Sequence, residues 1–224
     1  EMVGAVKPGM TTGQLDAIGG QVLSLYHAKS APQITCDFPG VTCICVNDEV
    51  AHGIPGDRII EKGDTINIDV SAELDGFFAD HGMMVMVPPV DDTAKRLCNC
   101  SKRALERAIS VAVKGNYIAN IGKVVEEEAK KAGFTTVKNL YGHGVGRTLH
   151  DSPDAIPNYF NRSDHRILPK GVVLAIEPFV SEKDRAVIEQ KDGWTLKTPH
   201  RSRVAQYEHT IVVRDGAPLI LTKC

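Results

Sequence analysis

Ile60-Glu61-Lys62-Gly63-Asp64-Thr65-Ile66-Asn67-Ile68-Asp69 and Leu168-Pro169-Lys170-Gly171-Val172-Val173-Leu174-Ala175-Ile176-Glu177 are two versions of one pattern. Each has a Lys-Gly turn, then a β-rich run, then a carboxylate. Lys62 and Lys170, Gly63 and Gly171, and Asp69 and Glu177 fall at one constant offset. A second pair of blocks keeps nearly the same separation: Val6-Lys7-Pro8-Gly9 precedes one helical stretch and Val113-Lys114-Gly115 another. Chance similarity around a Lys-Gly turn is the plain alternative, but two matched blocks at similar spacing favour an internal repeat. The chain therefore reads as an α+β domain of two related halves, roughly 1–90 and 91–224, with internal pseudo-two-fold symmetry. Such halves meet along a seam, and a carboxylate at the equivalent place in each faces its counterpart there.

Outward from these blocks, the elements follow from periodicity and punctuation. Thr11 or Thr12 caps a helix expected to run to about Ala28, with Leu15, Ile18, Val22 and Leu25 on one face. Strand-like runs follow at Val41–Val46, Thr65–Val70 and Met83–Val87, separated by Gly, Pro, Asn and Asp clusters. A long helix is expected from Thr93, containing Leu97, Ala104, Leu105, Ala108 and Val111. A second spans about Ile118 to Ala132 and stops at Gly133. Strand-like runs return at Gly171–Val180 and Ala205–Val213. The chain begins at Glu1. Met2, Val3 and Val6 read as the last turns of a helix ended by Lys7-Pro8-Gly9, so an upstream segment is expected.

Composition narrows the class. The 224 residues are 42% hydrophobic and 24% charged, with a net charge of -2, as in ordinary soluble domains. Nothing in that balance calls for a nucleic-acid or membrane partner, and no apolar run approaches the roughly 20 residues of a membrane span. The cysteines (Cys36, Cys43, Cys45, Cys98, Cys100 and Cys224) form no secreted disulfide framework and are expected to be free thiols in a reducing cytoplasm.

The chemistry lies in acids set among apolar residues. In a strand alternate residues share a face, so Ile66, Ile68 and Val70 oppose Thr65, Asn67 and Asp69. The same reading sets Leu174 and Ile176 against Val173, Ala175 and Glu177, and places Glu208 just before Ile211-Val212-Val213. Asp80 sits in Phe77-Phe78-Ala79-Asp80-His81-Gly82. One strand acid is ordinarily solvated. Several buried together without partners would cost several kcal/mol each or become protonated, and divalent cations remove that conflict. His143 lies in Gly142-His143-Gly144-Val145-Gly146, where the glycines let backbone approach closely; His150 follows in Leu149-His150-Asp151, and His52 precedes Gly53-Ile54-Pro55. Alone, each histidine would read as a hydrogen-bonded structural residue.

Taken in order, Ala51-His52-Gly53-Ile54-Pro55, Asn67-Ile68-Asp69-Val70, Gly142-His143-Gly144-Val145-Gly146, Ala175-Ile176-Glu177-Pro178 and Ala205-Gln206-Tyr207-Glu208-His209-Thr210 resemble the signature blocks of type I methionine aminopeptidases over essentially the whole chain. The resemblance implies the pita-bread (creatinase/aminopeptidase-like) fold. It implies Asp69, Asp80, His143, Glu177 and Glu208 as ligands of two divalent ions, Co, Mn, Fe or Zn, with Asp69 and Glu208 bridging. It implies His52, His150 and Glu177 as catalytic residues. A water or hydroxide between the ions would attack, Glu177 taking its proton, His150 meeting the scissile carbonyl and His52 the leaving amide nitrogen. Phe38, Cys43, Leu149 and Trp194, with His52 and His150, would bind the substrate.

The implied activity is removal of the initiator methionine from nascent chains ahead of a small second residue. The implied setting is a monomeric cytoplasmic enzyme, with the ribosome as one place of encounter. Two departures stand out: Asp80 is followed by His81-Gly82 where the family usually has a small hydroxyl residue, and Ala51 replaces a frequent cysteine. The alternatives are a related peptidase acting before proline (Xaa-Pro aminopeptidase or prolidase), or a non-catalytic binding protein on the same fold.

Overall fold

The computed structural model describes residues 1–223. Cys224, grouped above with the free thiols, lies outside the described residues; Cys36, Cys43, Cys45, Cys98 and Cys100 are free.

Two sheets frame the molecule. In the first, the hairpin Thr65–Leu74/Phe77–Met86 pairs through Thr65–Leu74 with Cys43–Val46 and Lys29–Ser30. In the second, five strands are ordered Leu219–Ile220, His209–Val212, Val173–Ile176, Tyr141–Gly144, Asp151–Pro157. Each has an apolar face covered by helix. Ile66 and Ile68 pack with Leu15 of the helix Thr12–Leu25. Leu174 and Ile176 pack with Leu105 of the helix Asp92–Val111 and Val125 of the helix Ile118–Lys131. The alternate residues on each strand, Asn67 and Asp69 on one and Ala175 on the other, point the opposite way.

Local chemistry sets the helix ends. Thr11 and Gln14 form a reciprocal capping box, and the helix stops at Leu25 rather than near Ala28. His27 takes the left-handed conformation at φ 58°, which breaks the helical repeat, and Leu25 is exposed rather than part of the packed face. The long helix begins at Asp92, capped by the Asp91 carboxylate on the Ala94 N–H, and not at Thr93. The short helix Ala31–Cys36, capped by Ser30 with Pro32 in its first turn, had no periodicity to announce it.

The strand readings need one larger correction. Gly171–Val180 and Ala205–Val213 are not continuous strands. The first divides into Val173–Ile176 and Phe179–Ser181, the second into Val204–Gln206 and His209–Val212. Pro178 has no N–H for a ladder, which accounts for the first break. Glu177 and Glu208 therefore stand in gaps between strands rather than within them. Conversely, Thr65–Val70 extends to Leu74, and Met83–Val87 begins as early as Phe77, so Asp80 is a strand residue.

Candidate active site

Register explains how distant acids meet. In the hairpin Asp69 lies opposite Gly82, Ser71 opposite Asp80, and Cys43 of the neighbouring strand opposite Asp69. Directly opposed residues share a face, so Asp69, Ser71, Asp80, Gly82 and Cys43 form one polar patch. In the second sheet His143 lies opposite Ala175, and Ile176 opposite His209. That register puts Glu177 and Glu208 side by side where the ladder ends. His143 falls on the Glu177 side, and its Nε2 is 3.6 Å from Glu177 Oε1 and 3.8 Å from Asp80 Oδ2.

Hydrogen bonds fix each group. Ser71 Oγ and the His81 N–H both donate to Asp80 Oδ1, at 2.7 and 3.0 Å. His143 Nδ1 lies 2.8 Å from the Gly144 carbonyl, so Nδ1 carries the proton and Nε2 is left as a ligand atom. Asn67 Nδ2 donates to Gln206 Oε1 at 2.6 Å, which turns Gln206 Nε2 toward Glu208 Oε2 at 2.9 Å. Glycine is required beside these groups. A Cβ on Gly82 would meet Gln206 Oε1 at 2.2 Å, and one on Gly142 would meet the Ala175 carbonyl at 2.5 Å.

The site then holds more negative charge than the protein balances. Asp80, His143 and Glu208 each offer a ligand atom, all within 4.8 Å of one another. Asp69 Oδ1 and Glu208 Oε1 are buried with no hydrogen-bond partner. Burial, then Asp80 and Glu177, push the Asp69 carboxyl well above the usual range. Burial and Asp80 do the same to Glu177, and burial with Asp80, Glu177 and Asp69 to Glu208. Unpartnered oxygens and crowded carboxylates beside an available imidazole nitrogen suit divalent cations, which would satisfy both the orphaned atoms and the charge.

Beside this patch is a cavity of about 290 Å³. Its walls include Phe38, Cys43, His52, Leu149, His150 and Trp194, together with Asp69, Asp80, His143 and Glu177. Phe38 and Trp194 meet edge to face, ring centres 5.2 Å apart. The His143 and His150 rings are 4.4 Å apart. Desolvation lowers the pKa of His52 and of His150, so both favour neutral imidazole at physiological pH. The sequence reading passed over Asn67, Ser71 and Gln206 as parts of the site. Period-two spacing from Asp69 locates the first two; the strand ends at Gln206, before Glu208, so no such spacing points to the third.

A cluster of acids and one imidazole beside an apolar-walled cavity, on this fold, defines a metal-dependent hydrolase. The profile of metallopeptidase family M24 matches residues 1–215. Methionine aminopeptidase 2 of Bacillus subtilis is 47% identical over 224 residues, which is 100% of this chain and 90% of that protein. The methionine aminopeptidase of Escherichia coli is 38% identical over 219 residues, covering 97% and 83% of the two chains. The crystal structure of methionine aminopeptidase from Thermotoga maritima superposes with a TM-score of 0.96 at 33% identity, covering 100% of this chain and 90% of that one. A prolidase from Pyrococcus furiosus shares the fold, with a TM-score of 0.78 at 20% identity, and this chain covers 58% of it. The chain belongs to metallopeptidase family M24, among its methionine aminopeptidases.

Proposed function

We propose that the chain is a methionyl aminopeptidase that removes the initiator methionine from nascent polypeptides in the cytoplasm, ahead of a small second residue. The observation that carries this reading is the pair of orphaned carboxylate oxygens, Asp69 Oδ1 and Glu208 Oε1, beside an apolar cavity edged by Phe38 and Trp194. The oxygens call for cations and the cavity suits a thioether side chain. Among the described residues no helix is long and apolar enough to cross a membrane.

Asp69, Asp80, His143, Glu177 and Glu208 would hold two divalent ions, whose charge balances the four carboxylates; Mn, Fe, Co and Zn all suit such ligands. When bound, they would supply Lewis-acid polarisation of the scissile carbonyl and lower the pKa of water. The chain's own groups do the rest. Glu177, made more basic by burial and by Asp80, accepts a proton from the attacking water. His150, neutral beside His143, donates a hydrogen bond to the carbonyl oxygen as it gains charge. His52 contacts the amide nitrogen on the leaving side. Phe38, Cys43, Leu149 and Trp194 enclose the methionine side chain and exclude water.

The test uses metal-stripped protein with Mn, Fe, Co or Zn restored in turn, assayed on a Met-Gly and an Ala-Pro peptide. Methionine release that requires metal, with the Ala-Pro peptide left intact, is expected. Preferential cleavage before proline would move the chain to the prolidase-like activity. Metal uptake without any peptide cleavage would leave only a binding protein.

A further inference from the structure

We propose that His81 is a positioning residue for the cation site: its imidazole holds the main chain at Glu208 and so aims the Glu208 carboxylate toward Asp80 and His143. This rests on the reading of Glu208 as a metal ligand. Glu208 lies in the gap between Val204–Gln206 and His209–Val212, outside both ladders. A side chain there is only as well placed as its peptide groups, and both of these are held by one dipeptide on the neighbouring sheet. The Glu208 N–H donates to the Gly82 carbonyl at 2.9 Å, and the Glu208 carbonyl lies 2.6 Å from His81 Nδ1. A carbonyl only accepts, so His81 donates from Nδ1.

The donor is itself immobilised. Residues alternate along the strand, so His81 points away from the Asp80 and Gly82 face, toward the back of the site. There its ring stacks on His209, centres 4.8 Å apart and planes within 11°. His209 Nδ1 is 2.9 Å from Thr222 Oγ1, so that ring is also fixed. The next residues complete a clamp between the sheets: the Asp80 N–H donates to Thr210 Oγ1 and that hydroxyl donates to the Asp80 carbonyl, both at 2.8 Å. Asp80 and Glu208, ligands from opposite sheets, are thereby tied through residues 80–82 and 208–210. Two side chains make links in this clamp, Thr210 to the main chain of Asp80 and His81 to the main chain of Glu208.

Three variants of the full chain test this: His81→Ala, His81→Ser and His81→Asn. Asparagine places an amide donor the same number of bonds from the main chain as Nδ1. Each metal-stripped protein is first shown to be folded by circular dichroism in chelator, then titrated calorimetrically with Mn(II), with the visible spectrum of the Co(II) form recorded in parallel. Loss of an outer hydrogen bond of this kind weakens metal affinity by about 10–100-fold. That loss is expected for His81→Ala and His81→Ser, with an altered Co(II) spectrum, while His81→Asn regains most of the affinity. If His81→Ala does not fold, the Ser and Asn pair decides. Undiminished affinity in the Ser variant, or an Asn variant as weak as Ser, would overturn the proposal while leaving the site assignment standing. An unsubstituted chain that takes up no metal would instead sink the site assignment and this inference with it.

Discussion

Replacing Glu208 with glutamine should move stability in opposite directions with and without metal. Glu208 is 1% exposed, its Oε2 accepts one hydrogen bond from Gln206, and its Oε1 has no partner. Burial and the nearby Asp80, Glu177 and Asp69 all oppose its ionisation. In chelator at neutral pH the folded chain must therefore either hold an unpaired buried charge or take up a proton. Each pKa unit of such a shift corresponds to about 1.4 kcal/mol. Glutamine has the same shape and keeps an acceptor for Gln206. It removes the charge and turns an N–H toward acidic neighbours. The metal-free Glu208→Gln protein should then be more stable than its parent by roughly 1–3 kcal/mol, on the scale seen when buried charges are replaced. At about 2–4 °C per kcal/mol for a chain of this size, the melting temperature rises by roughly 2–12 °C. In excess Mn(II) the order should invert. The parent gains about 2.7 kcal/mol for each site at a free concentration of one hundred times Kd, and the variant gains little. Scanning calorimetry of both proteins, in chelator and in Mn(II), measures all four values. A variant that melts below its parent in chelator, or that gains as much from Mn(II), would refute the reasoning.

His52→Ala should keep its calorimetric metal affinity yet lose about 100-fold or more in kcat, since it removes a hydrogen-bonding group at the scissile amide; unchanged kinetics would remove His52 from the mechanism. Trp194→Ala opens one side of the cavity beside Phe38 and, if that cavity takes the methionine side chain as proposed, should raise KM about tenfold with little change in kcat, read from initial rates on a Met-Gly peptide. Among the described residues lining the cavity none is a lysine or arginine, while Asp154 stands in its wall, so peptides with acidic residues just downstream should be cut several-fold more slowly at low salt, a difference that shrinks as salt rises. Asp91 caps the helix Asp92–Val111, and its hydrogen bond with Arg203 holds its carboxyl down to about 2. The folded value lies below the unfolded one, so this stabilisation is present above about pH 4 and is lost as pH falls toward 2. Asp91→Ala should cost about 0.5–2 kcal/mol in urea unfolding at pH 7, and that difference should shrink in acid.

How much of this was legible in the sequence depends on whether a feature is periodic. Asp69 sits in an uninterrupted strand, so alternation alone set it against Ile66 and Ile68 and gave its direction. The repeated Lys-Gly-strand-acid block suggested the α+β class and the resemblance of the signature blocks the pita-bread fold, and the match to a solved methionine aminopeptidase agrees with that fold. Glu177 and Glu208 were singled out as acids in apolar surroundings, yet the strand-face argument did not apply to them, because the chain leaves the ladder at both positions. The length of the hairpin was missed although its signal was present: Asp75-Gly76 takes positive φ at both residues, 52° and 78°, the geometry that Asp-Gly turns supply. The roles of Gly82, Gln206 and His81 were not readable at all. Each depends on a distance between residues far apart in the chain, and no local pattern encodes that distance.

The candidate ligand residues share a division of labour that explains why the sheet polar faces tolerate one another. Asp80 gives Oδ1 to Ser71 and to the His81 N–H, leaving Oδ2 toward His143. His143 gives Nδ1 to the Gly144 carbonyl, leaving Nε2 toward Asp80 and Glu177. Glu208 gives Oε2 to Gln206 and leaves Oε1 without a partner. In each case one atom is fixed by the protein and the other is withheld from it. A fold optimised for its own stability would have paired both, because an unpaired buried polar atom costs about 1–3 kcal/mol. The withheld atoms converge, and the restraints on their partners remove the rotational freedom that would otherwise let them turn away and pair elsewhere. The same hydrogen bonds that orient the group thus keep the site from collapsing onto itself, and the energy left unrealised in the metal-free chain is available to whatever cation fills it.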